Sequence, residues 1–356
     1  MSWRERRFMD LTGATVPIVQ APMAGAGGVD LAGAAIRGGA VGSLPAAMLT
    51  PEELGGQIEA VRAAASGPLN VNFFAHRQVP VPDTAGWEAA LAPYYDERGI
   101  APPSAMGAAR RPFDEAMCGV VELLRPAIVS FHFGLPEDAL LDRVKASGAV
   151  VLGNATTVEE ARWLAVRGVD AIIGQGFEAG GHAGRFLPGS RPEAQMGTLA
   201  LVPQIVDAVD VPVIAAGGIG DARGIAAALM LGASAVQIGT AYLHCPESLI
   251  SVQHRRLLTE DAAEETVFTN LFSGALARGL QNRLVAELGP VSPIAPSFPY
   301  ASAALSGLRK DAEARGDVGF SPLWAGQGAR LGRALRAQAL TEVLAAEALA
   351  LIEGGR

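Results

Sequence analysis

The chain has 356 residues, of which 50% are apolar and 18% are charged, and its formal net charge is −8. This composition is typical of a globular protein with a large core and excludes a disordered or fibrous chain. An acidic chain without a Lys/Arg cluster is also a poor candidate for binding nucleic acid or an anionic membrane surface.

The cysteine content and the start of the chain bear on its location. Cys118 and Cys245 are its two cysteines, which excludes a disulfide framework and predicts a reducing, cytoplasmic compartment. The charged first residues are not followed by the apolar segment of a signal peptide. The uncharged stretch Gly224–Leu243 is long enough to span a membrane, but its pattern indicates a buried helix followed by a buried strand. Arginine-rich, lysine-poor usage suggests a bacterial source.

Short apolar runs alternate with helix-like segments along the first 243 residues. The predicted strands are Ile18–Ala24, Val41–Ala46, Leu69–Phe74, Ala127–Phe133, Ala149–Ala155, Ala171–Gln175, Val211–Ala216 and Ala235–Thr240. The predicted helices are Asp30–Arg37, Pro51–Ala65, Pro112–Leu124, Glu137–Ser147, Val158–Val166, Leu199–Ala208 and Ala222–Leu231. Thr50 and Thr157 each precede acidic residues and are predicted to cap their helices. Eight apolar strands alternating with helices favour an α/β fold, a closed (β/α)₈ TIM barrel.

Two segments do not fit this repeat. Ala75–Arg111 is Pro-rich and follows the third strand at the barrel face where sites lie, so we predict a lid or pocket wall rather than a floppy insertion. Beyond the eighth strand the pattern predicts helices over Pro246–Leu258, Asp261–Leu288 and Ala329–Ile352. The predicted domains are a barrel formed by residues 1–74, 111–244 and 325–356, and a smaller, mainly helical substrate domain formed by residues 75–110 and 245–324.

The carboxyl ends of the strands carry the chemistry of such barrels. The predicted ends lack lysine and acidic residues, which excludes a Schiff-base nucleophile, the paired carboxylates of a glycosidase, and a carboxylate site for magnesium or zinc. They carry instead Met23, Asn72, His132, Asn154 and Gln175, with several glycines. A neutral rim of amides and glycines suits an organic cofactor held by amide and backbone groups.

The segment Ala216–Gly224 runs from a strand end into a helix and is rich in glycine. Gly217 and Gly218 are predicted to let backbone N–H groups approach a single phosphate at the helix N-terminus. Gly239-Thr240, after the next strand, would add an N–H and a hydroxyl, as in barrel phosphate sites. Tight turns alone would also explain these glycines, and Asp221 is interpreted as a helix cap.

The loop Gln175–Gly184 delivers one imidazole, that of His182, beside the predicted phosphate site. An unperturbed imidazole titrates near pH 6.5 and suits general-base work near neutrality. Glu178 in the same loop is the rival base. His132 either lines the pocket or bonds within the core. The pair His244-Cys245 lacks the further ligands of a metal site, so we predict none.

Together these motifs resemble the nitronate monooxygenases, formerly called 2-nitropropane dioxygenases. The matching segments are Pro17–Ala24, Asn70–Phe74, Gln175–Gly184, Ala216–Gly224, Gln237–Thr240 and Trp324–Gly328, and the resemblance runs from about residue 15 to 335. It implies a TIM barrel that binds FMN noncovalently. The FMN contacts it implies are Met23, Ala24, Asn72, Gln175, Gly180, Gly217, Gly218, Gln237, Gly239 and Thr240.

The implied reaction is oxidation of alkyl nitronates or nitroalkanes by dioxygen to a carbonyl compound and nitrite. By the same resemblance, His182 is the catalytic base that removes the acidic α-proton of a neutral nitroalkane, and when protonated it would hold the anionic nitro oxygens. A small-molecule substrate and dioxygen are thus the expected partners, with no nucleic acid and no membrane. A homodimer is one option for the assembly.

Three alternatives stay open at this point. A flavin-type enoyl-acyl-carrier-protein reductase shares the Gly-Gly-His loop and would use NAD(P)H and an acyl thioester. Another FMN-dependent barrel oxidoreductase, related to the dihydroorotate or inosine dehydrogenases, is the second, although Cys245 is poorly placed for the nucleophile of the inosine enzymes. A barrel that binds flavin without turnover is the third, and the presence of His182 argues against it.

Overall fold

A ring of parallel strands forms the centre of the fold. The structure, a computed structural model, describes residues 3–103, 110–189 and 194–354. In chain order its strands are β1 (Ile18–Gln20), β2 (Gly42–Pro45), β3 (Leu69–Phe74), β4 (Ile128–His132), β5 (Val150–Ala155), β6 (Ala171–Gln175), β7 (Gly181–His182), β8 (Val213–Ala216), β9 (Ala235–Ile238), β10 (Thr266–Thr269) and β11 (Ala277–Leu280).

The strand order confirms the predicted barrel. The eight parallel strands pair in the order β1-β9-β8-β6-β5-β4-β3-β2. A parallel bridge between Val19 and Val41 joins β1 to the segment that leads into β2, so the ring is nearly closed. Most of these strands are buried along their whole length. One face of each strand packs inside the barrel and the other face packs against the surrounding helices.

Helices connect the strands and cover the outside of the ring. They are α1 (Arg7–Thr12), α2 (Val29–Arg37), α3 (Pro51–Ala64), α4 (Ala85–Arg98), α5 (Glu115–Leu124), α6 (Asp138–Ala146), α7 (Val158–Val166), α8 (Thr198–Val206), α9 (Ala222–Met230), α10 (Thr240–Leu243), α11 (Val252–Leu257), α12 (Arg283–Leu288), α13 (Ala301–Ala314) and α14 (Ala337–Glu353). The stretch Gly224–Leu243 folds within α9, β9 and α10, as its pattern indicated. Within the described residues, no helix is long and apolar enough to cross a membrane.

The predicted helix starts are confirmed by their caps. The Thr50 hydroxyl accepts a hydrogen bond from the Glu53 N–H at 3.2 Å, and the Glu53 carboxylate accepts one from the Thr50 N–H at 2.8 Å. Thr157 caps α7 through the Glu160 N–H at 3.1 Å. Asp221 caps α9, the helix that follows the Gly217-Gly218 turn. These caps satisfy N–H groups that have no partner inside the helix.

One end of the barrel is closed by apolar packing. Phe8 and Met9 of α1 are buried with the first residues of several strands, including Ile128 and Ala171. Since these residues begin their strands, α1 covers the amino-terminal end of the ring. The carboxyl-terminal end is therefore the end at which a pocket can form.

The prediction of helix over Asp261–Leu288 is wrong. Residues Asp261–Glu264 form one 3₁₀ turn, β10 and β11 follow as an antiparallel pair, and only Arg283–Leu288 is α-helical. The run Thr266-Val-Phe-Thr269 is β-branched and aromatic and so favours a strand, and Gly274 has a φ of +92° that a helix does not tolerate. The predicted helices at Pro246–Leu258 and Ala329–Ile352 are also shorter, at Val252–Leu257 and Ala337–Glu353.

Helices that the sequence did not predict join the insertion to the segment after the barrel. In α4, the Trp87 indole N–H donates to the Ala301 carbonyl at 3.1 Å and the Tyr95 hydroxyl donates to the Ala304 carbonyl at 2.6 Å. These contacts tie α4 to α13 around a core that includes Phe320. Residues 104–109 of the insertion lie outside the described residues. The division into two domains stays a prediction.

Candidate active site

A cavity of about 450 Å³ opens at the carboxyl ends of the barrel strands. All eleven site residues predicted from the sequence line it: Met23, Ala24, Asn72, Gln175, Gly180, His182, Gly217, Gly218, Gln237, Gly239 and Thr240. They come from loops and strand ends that are far apart in the sequence. The barrel brings them together because the carboxyl ends of parallel strands meet on one face.

The Gly217-Gly218 turn forms one corner of this cavity. Its φ values are +117° and +69°, in the region that favours glycine. A Cβ on Gly217 would lie 2.8 Å from the Thr198 hydroxyl and 3.1 Å from the Ala179 nitrogen. The turn is therefore closely packed from behind, and its backbone faces the cavity without side chains.

Glu178 supports this corner from outside the cavity. Its carboxylate accepts hydrogen bonds from the N–H and the hydroxyl of Thr198, each at 2.9 Å. Because its carboxylate is turned towards α8 and it is not among the described lining residues, Glu178 is poorly placed as a rival base. It ties the His182 loop to the start of α8.

The segment Trp324–Gly328 packs against the same corner. The Gly326 N–H donates to the Thr240 hydroxyl at 2.9 Å, and the Gln327 N–H donates to the Glu178 carbonyl at 2.9 Å. A Cβ on Gly180 would lie 2.5 Å from the Gly326 nitrogen. The glycines of this motif therefore permit a close approach of two backbones.

The backbone that carries His182 is fixed by three neighbours. Gln175 Nε2 donates to the His182 carbonyl at 2.8 Å, and His132 Nε2 lies 3.2 Å from the same oxygen. On the other side, β7 pairs with β11, with His182 opposite Ala277. Gln175 Oε1 accepts from the Gly184 N–H and from Asn154 Nδ2. Much of the bonding capacity of Gln175 is thus used to hold this loop.

The His182 imidazole lies among aromatic rings. The centroids of Phe74, Phe133, Phe298 and Trp324 are 5.5 to 5.8 Å from its own. Desolvation there, followed by the positive charge of Arg110 and then by His132 and His76, lowers the pKa of His182 well below its usual 6.5. The ring is therefore neutral at pH 7.

The Ser273 hydroxyl contacts one of the two ring nitrogens of His182. His182 Nε2 lies 2.9 Å from Ser273 Oγ. The Ser273 hydroxyl donates at 3.3 Å to the Ala275 carbonyl, so its oxygen is available to accept from an Nε2–H. This pairing favours the tautomer that leaves Nδ1 unprotonated and able to accept a proton.

Several polar groups of the site were not found from the sequence or serve elsewhere. Ser273 and Arg110 gave no signal, because Ser273 lies inside the segment Asp261–Leu288 that was predicted as helix and Arg110 lies near the end of the Pro-rich insertion. His132 both lines the cavity and bonds within the protein. His244 does not line the cavity, and its Nε2 bonds to the Ala329 carbonyl at 2.9 Å.

Comparisons with known proteins agree along nearly the whole chain. The family model for nitronate monooxygenase matches residues 5–347. Nitronate monooxygenase of Paraburkholderia phytofirmans is 41% identical over 355 residues, which is 98% of this chain and 96% of that protein. Nitronate monooxygenase of Pseudomonas aeruginosa is 42% identical over 346 residues, which is 96% of this chain and 98% of that protein.

Solved structures show the same relationship. Nitroalkane oxidase from Streptomyces ansochromogenes matches with a TM-score of 0.89 at 37% identity, covering 98% of this chain and all of that one. FabK from Thermotoga maritima is more distant, with a TM-score of 0.74 at 26% identity and 98% coverage of each chain. The family match, the relatives above 40% identity and the shared barrel together show that this chain belongs to the nitronate monooxygenase family of oxidoreductases.

Proposed function

We propose that this chain is an FMN-dependent monooxygenase that oxidises alkyl nitronates with dioxygen to a carbonyl compound and nitrite. It also takes neutral nitroalkanes, after His182 removes their α-proton. The observation that carries the proposal is the convergence of eleven predicted residues on one cavity, with His182 on its wall.

The residues of the cavity fit FMN. The Gly217-Gly218 turn precedes α9 and lines the cavity with backbone that carries no side chain, which suits a phosphate. The buried Gln237 Oε1 has no hydrogen-bond partner within the described residues, which fits a ring with N–H donors. The volume of about 450 Å³ is in the range of ligand sites.

Each predicted contact has a role in this proposal. Gly217, Gly218, Gly239 and Thr240 would hold the phosphate end. The remaining contacts, on the ring and its chain, would come from Met23, Ala24, Asn72, Gln175, Gly180 and Gln237. Asn72 is already oriented, since its Nδ2 donates to Ser130 Oγ at 2.9 Å. The chemistry that FMN supplies when bound is redox chemistry, namely acceptance of an electron from the nitronate and reaction with dioxygen.

The role of the chain itself is to bind the substrate and to move one proton. His182 Nδ1 accepts the α-proton of a neutral nitroalkane, while Ser273 holds Nε2 and fixes the ring. A nitronate arrives already deprotonated and does not need this step. The rings of Phe74, Phe298 and Trp324 exclude water around the imidazole.

The smaller substrate domain is part of the same proposal. Residues 249–251, 254, 309, 313 and 321–324 line the cavity together with the barrel ends. They belong to the segment after the barrel that packs against α4 of the insertion. We propose that the segments 75–110 and 245–324 cover the substrate side of the cavity.

Nitrite release tests the function. Protein reconstituted with FMN is mixed with ethyl nitronate in air and without NAD(P)H, and nitrite is measured. We expect oxygen-dependent nitrite formation with wild-type protein. Absence of nitrite, together with NADH oxidation that needs an enoyl thioester, would replace the proposal with the reductase alternative.

A His182→Asn variant tests the base. It should keep FMN and slow nitroethane by about 100-fold or more, as general-base removal does, while ethyl nitronate is slowed much less. His244→Asn is the matched control, because His244 lies outside the cavity wall. Equal slowing of both substrates by His182→Asn would contradict the base role.

A further inference from the structure

Arg110 is a buried cation in the wall of the cavity. Its side chain lines the cavity and only 8% of the residue is exposed. The Nε and Nη1 atoms are shielded from solvent, and neither forms a hydrogen bond with any residue in the described ranges. A guanidinium carries five N–H donors, so this side chain has much unused bonding capacity.

Such a group is unfavourable unless a partner arrives. A buried charge loses the hydration that it has in the unfolded chain, and an unpaired one recovers nothing in return. Burial and then the positive charge of Arg309 lower the pKa of Arg110 to about 10. The guanidinium therefore stays charged at neutral pH, and its counter-charge has to come from a molecule that enters the cavity.

The other charges of the cavity wall are already paired. Arg309 Nε donates to Glu313 Oε1 at 2.7 Å. The same carboxylate accepts from Ser321 Oγ at 2.7 Å. Of the lining residues in the described ranges, Glu313 is the only one that carries a carboxylate. The charge of Arg110 is thus unbalanced, and the cavity favours an anion.

Arg110 also acts on the proposed base. After burial, Arg110 lowers the pKa of His182 most, ahead of the titratable side chains of His132 and His76. Burial and then Arg110 lower the pKa of His76 to about 4. A neutral His182 can remove a proton, but it cannot form an ion pair with an anion. Another group therefore has to hold the substrate's charge.

We propose that Arg110 is a specificity-determining residue that binds the negatively charged oxygen atoms of the substrate's nitronate group. This inference rests on the proposed function. It gives charge recognition to Arg110 and proton removal to His182, whereas the sequence suggested both tasks for His182. The two oxygens of a planar nitronate have the fork geometry of a carboxylate, which a guanidinium binds through two parallel N–H bonds.

Kinetics of an Arg110→Met variant provide the main test. Methionine keeps an unbranched apolar side chain and removes the charge. We expect kcat/KM for ethyl nitronate to fall at least about tenfold, the low end for a hydrogen bond between charged groups. For neutral nitroethane, KM should change less than about twofold, because that substrate brings no charge for Arg110 to bind. Arg110→Lys should restore part of the loss.

Controls separate recognition from folding and from net charge. Lys310→Gln also removes one positive charge, but from an exposed position on α13, and should leave both substrates unchanged. The melting temperature of Arg110→Met should equal or exceed that of wild type, because an unpaired buried charge is removed. The acid limb of the nitroethane pH profile should move to higher pH, since the positive charge that lowers the pKa of His182 is lost.

Three results would overturn the proposal. They are an equal rise in KM for nitroethane and ethyl nitronate, no loss of kcat/KM for ethyl nitronate, and a loss confined to propionate 3-nitronate, a nitronate that also carries a carboxylate. The last would mean that Arg110 binds a carboxylate elsewhere on the substrate.

Nitrate binding separates this proposal from the proposed function. Sodium nitrate is a planar oxyanion and can be titrated calorimetrically into FMN-loaded protein. Its dissociation constant should rise at least about tenfold in Arg110→Met. If wild-type protein released no nitrite but nitrate binding still depended on Arg110, the proposed function would fail and the anion site would stand. Nitrate binding that is equal in the two proteins would overturn the anion site itself.

Discussion

The Gly217-Gly218 turn offers a direct test of where the phosphate of FMN is held. A Gly217→Ala substitution adds one methyl group to a residue with a φ of +117°. The new Cβ would lie 2.8 Å from the Thr198 hydroxyl and 3.1 Å from the Ala179 nitrogen. Both neighbours are held in place, because Glu178 bonds to the hydroxyl and N–H of Thr198 and the Ala179 N–H donates to the Gly176 carbonyl. The turn itself has to shift towards the cavity.

Two contributions set the size of the effect. A left-handed conformation costs an L-residue about 1–2 kcal/mol relative to glycine. The shift of the turn would also weaken the proposed hydrogen bonds from its backbone to a charged phosphate, at about 1.5–3 kcal/mol each. Loss of one such bond raises the dissociation constant of FMN by roughly 10- to 150-fold. The apoprotein should lose a smaller part of its stability.

Two glycines serve as matched controls for this variant. Gly148 has a φ of +87° with nothing within 4 Å of an added Cβ, so Gly148→Ala reports the backbone cost alone. Gly56 lies inside α3, also without close neighbours, and Gly56→Ala should stabilise the helix by about 0.5–1 kcal/mol. Both should bind FMN as wild type does.

Flavin fluorescence quenching during titration of apoprotein measures the dissociation constant, and thermal unfolding measures stability. The expected pattern is weak FMN binding in Gly217→Ala alone. If Gly217→Ala bound FMN within about threefold of wild type while its melting temperature fell, the turn would be structural. The phosphate would then have to be held elsewhere in the cavity.

Three further predictions follow from single side chains. The kcat/KM for nitroethane should stay level from about pH 8 down to 6.5 and fall only below pH 6.5, because the proposed base, His182, acts in its neutral form and its pKa is lowered. A fall that begins above pH 7 would contradict this role. Burial lowers the pKa of His254 from 6.5 to about 4, so as the pH falls this residue is protonated in the unfolded chain before it is protonated in the folded one. Its contribution to the free energy of unfolding therefore falls by about 3 kcal/mol between pH 6.5 and pH 4. In urea titrations, the free energy of unfolding should fall less steeply with decreasing pH in His254→Gln than in wild type. An equal slope in the two proteins would refute this prediction. Tyr242→Phe should lower the free energy of unfolding by about 1 kcal/mol, because the buried Tyr242 hydroxyl lies 2.7 Å from the Thr341 hydroxyl and bonds to it. Urea denaturation midpoints measure the loss, and an unchanged midpoint would argue against this bond.

The barrel was predictable because its signals are local. Each strand is a short apolar run, and several helices begin with a capping residue such as Thr50 or Thr157. Burial on both faces removes the alternation that would complicate the strand pattern. Strand β3 was predicted to the residue at Leu69–Phe74, and β6 at Ala171–Gln175.

The segment after the barrel was less predictable because its structure depends on distant partners. Strand β11 pairs with β7, about 100 residues earlier in the chain, and nothing local to Ala277–Leu280 indicates that pairing. Likewise α4 is held by bonds from Trp87 and Tyr95 to α13. Such contacts override weak local preferences, so a reading by periodicity gives one long helix instead of a hairpin.

The site shows the same division between local and distant signals. Glycines and the lone imidazole of His182 could be predicted from the sequence, because their residue types suit phosphate binding and proton transfer. Ser273 and Arg110 could not, because their roles come from where the fold puts them. Serine and arginine are common surface residues, and only burial beside His182 gives these two a chemical meaning.

The polar groups in contact with His182 explain how its imidazole can be held in place without an ion-pair partner. Gln175 and His132 both contact the His182 carbonyl, and Ser273 contacts the ring. These groups carry no formal charge at pH 7, since burial lowers the pKa of His132 to about 4. They fix the position of the base without stabilising its protonated form through an ion pair. A carboxylate in their place would raise the pKa of His182 and favour the imidazolium. These uncharged contacts therefore leave the proposed base, His182, in the neutral form that can accept a proton.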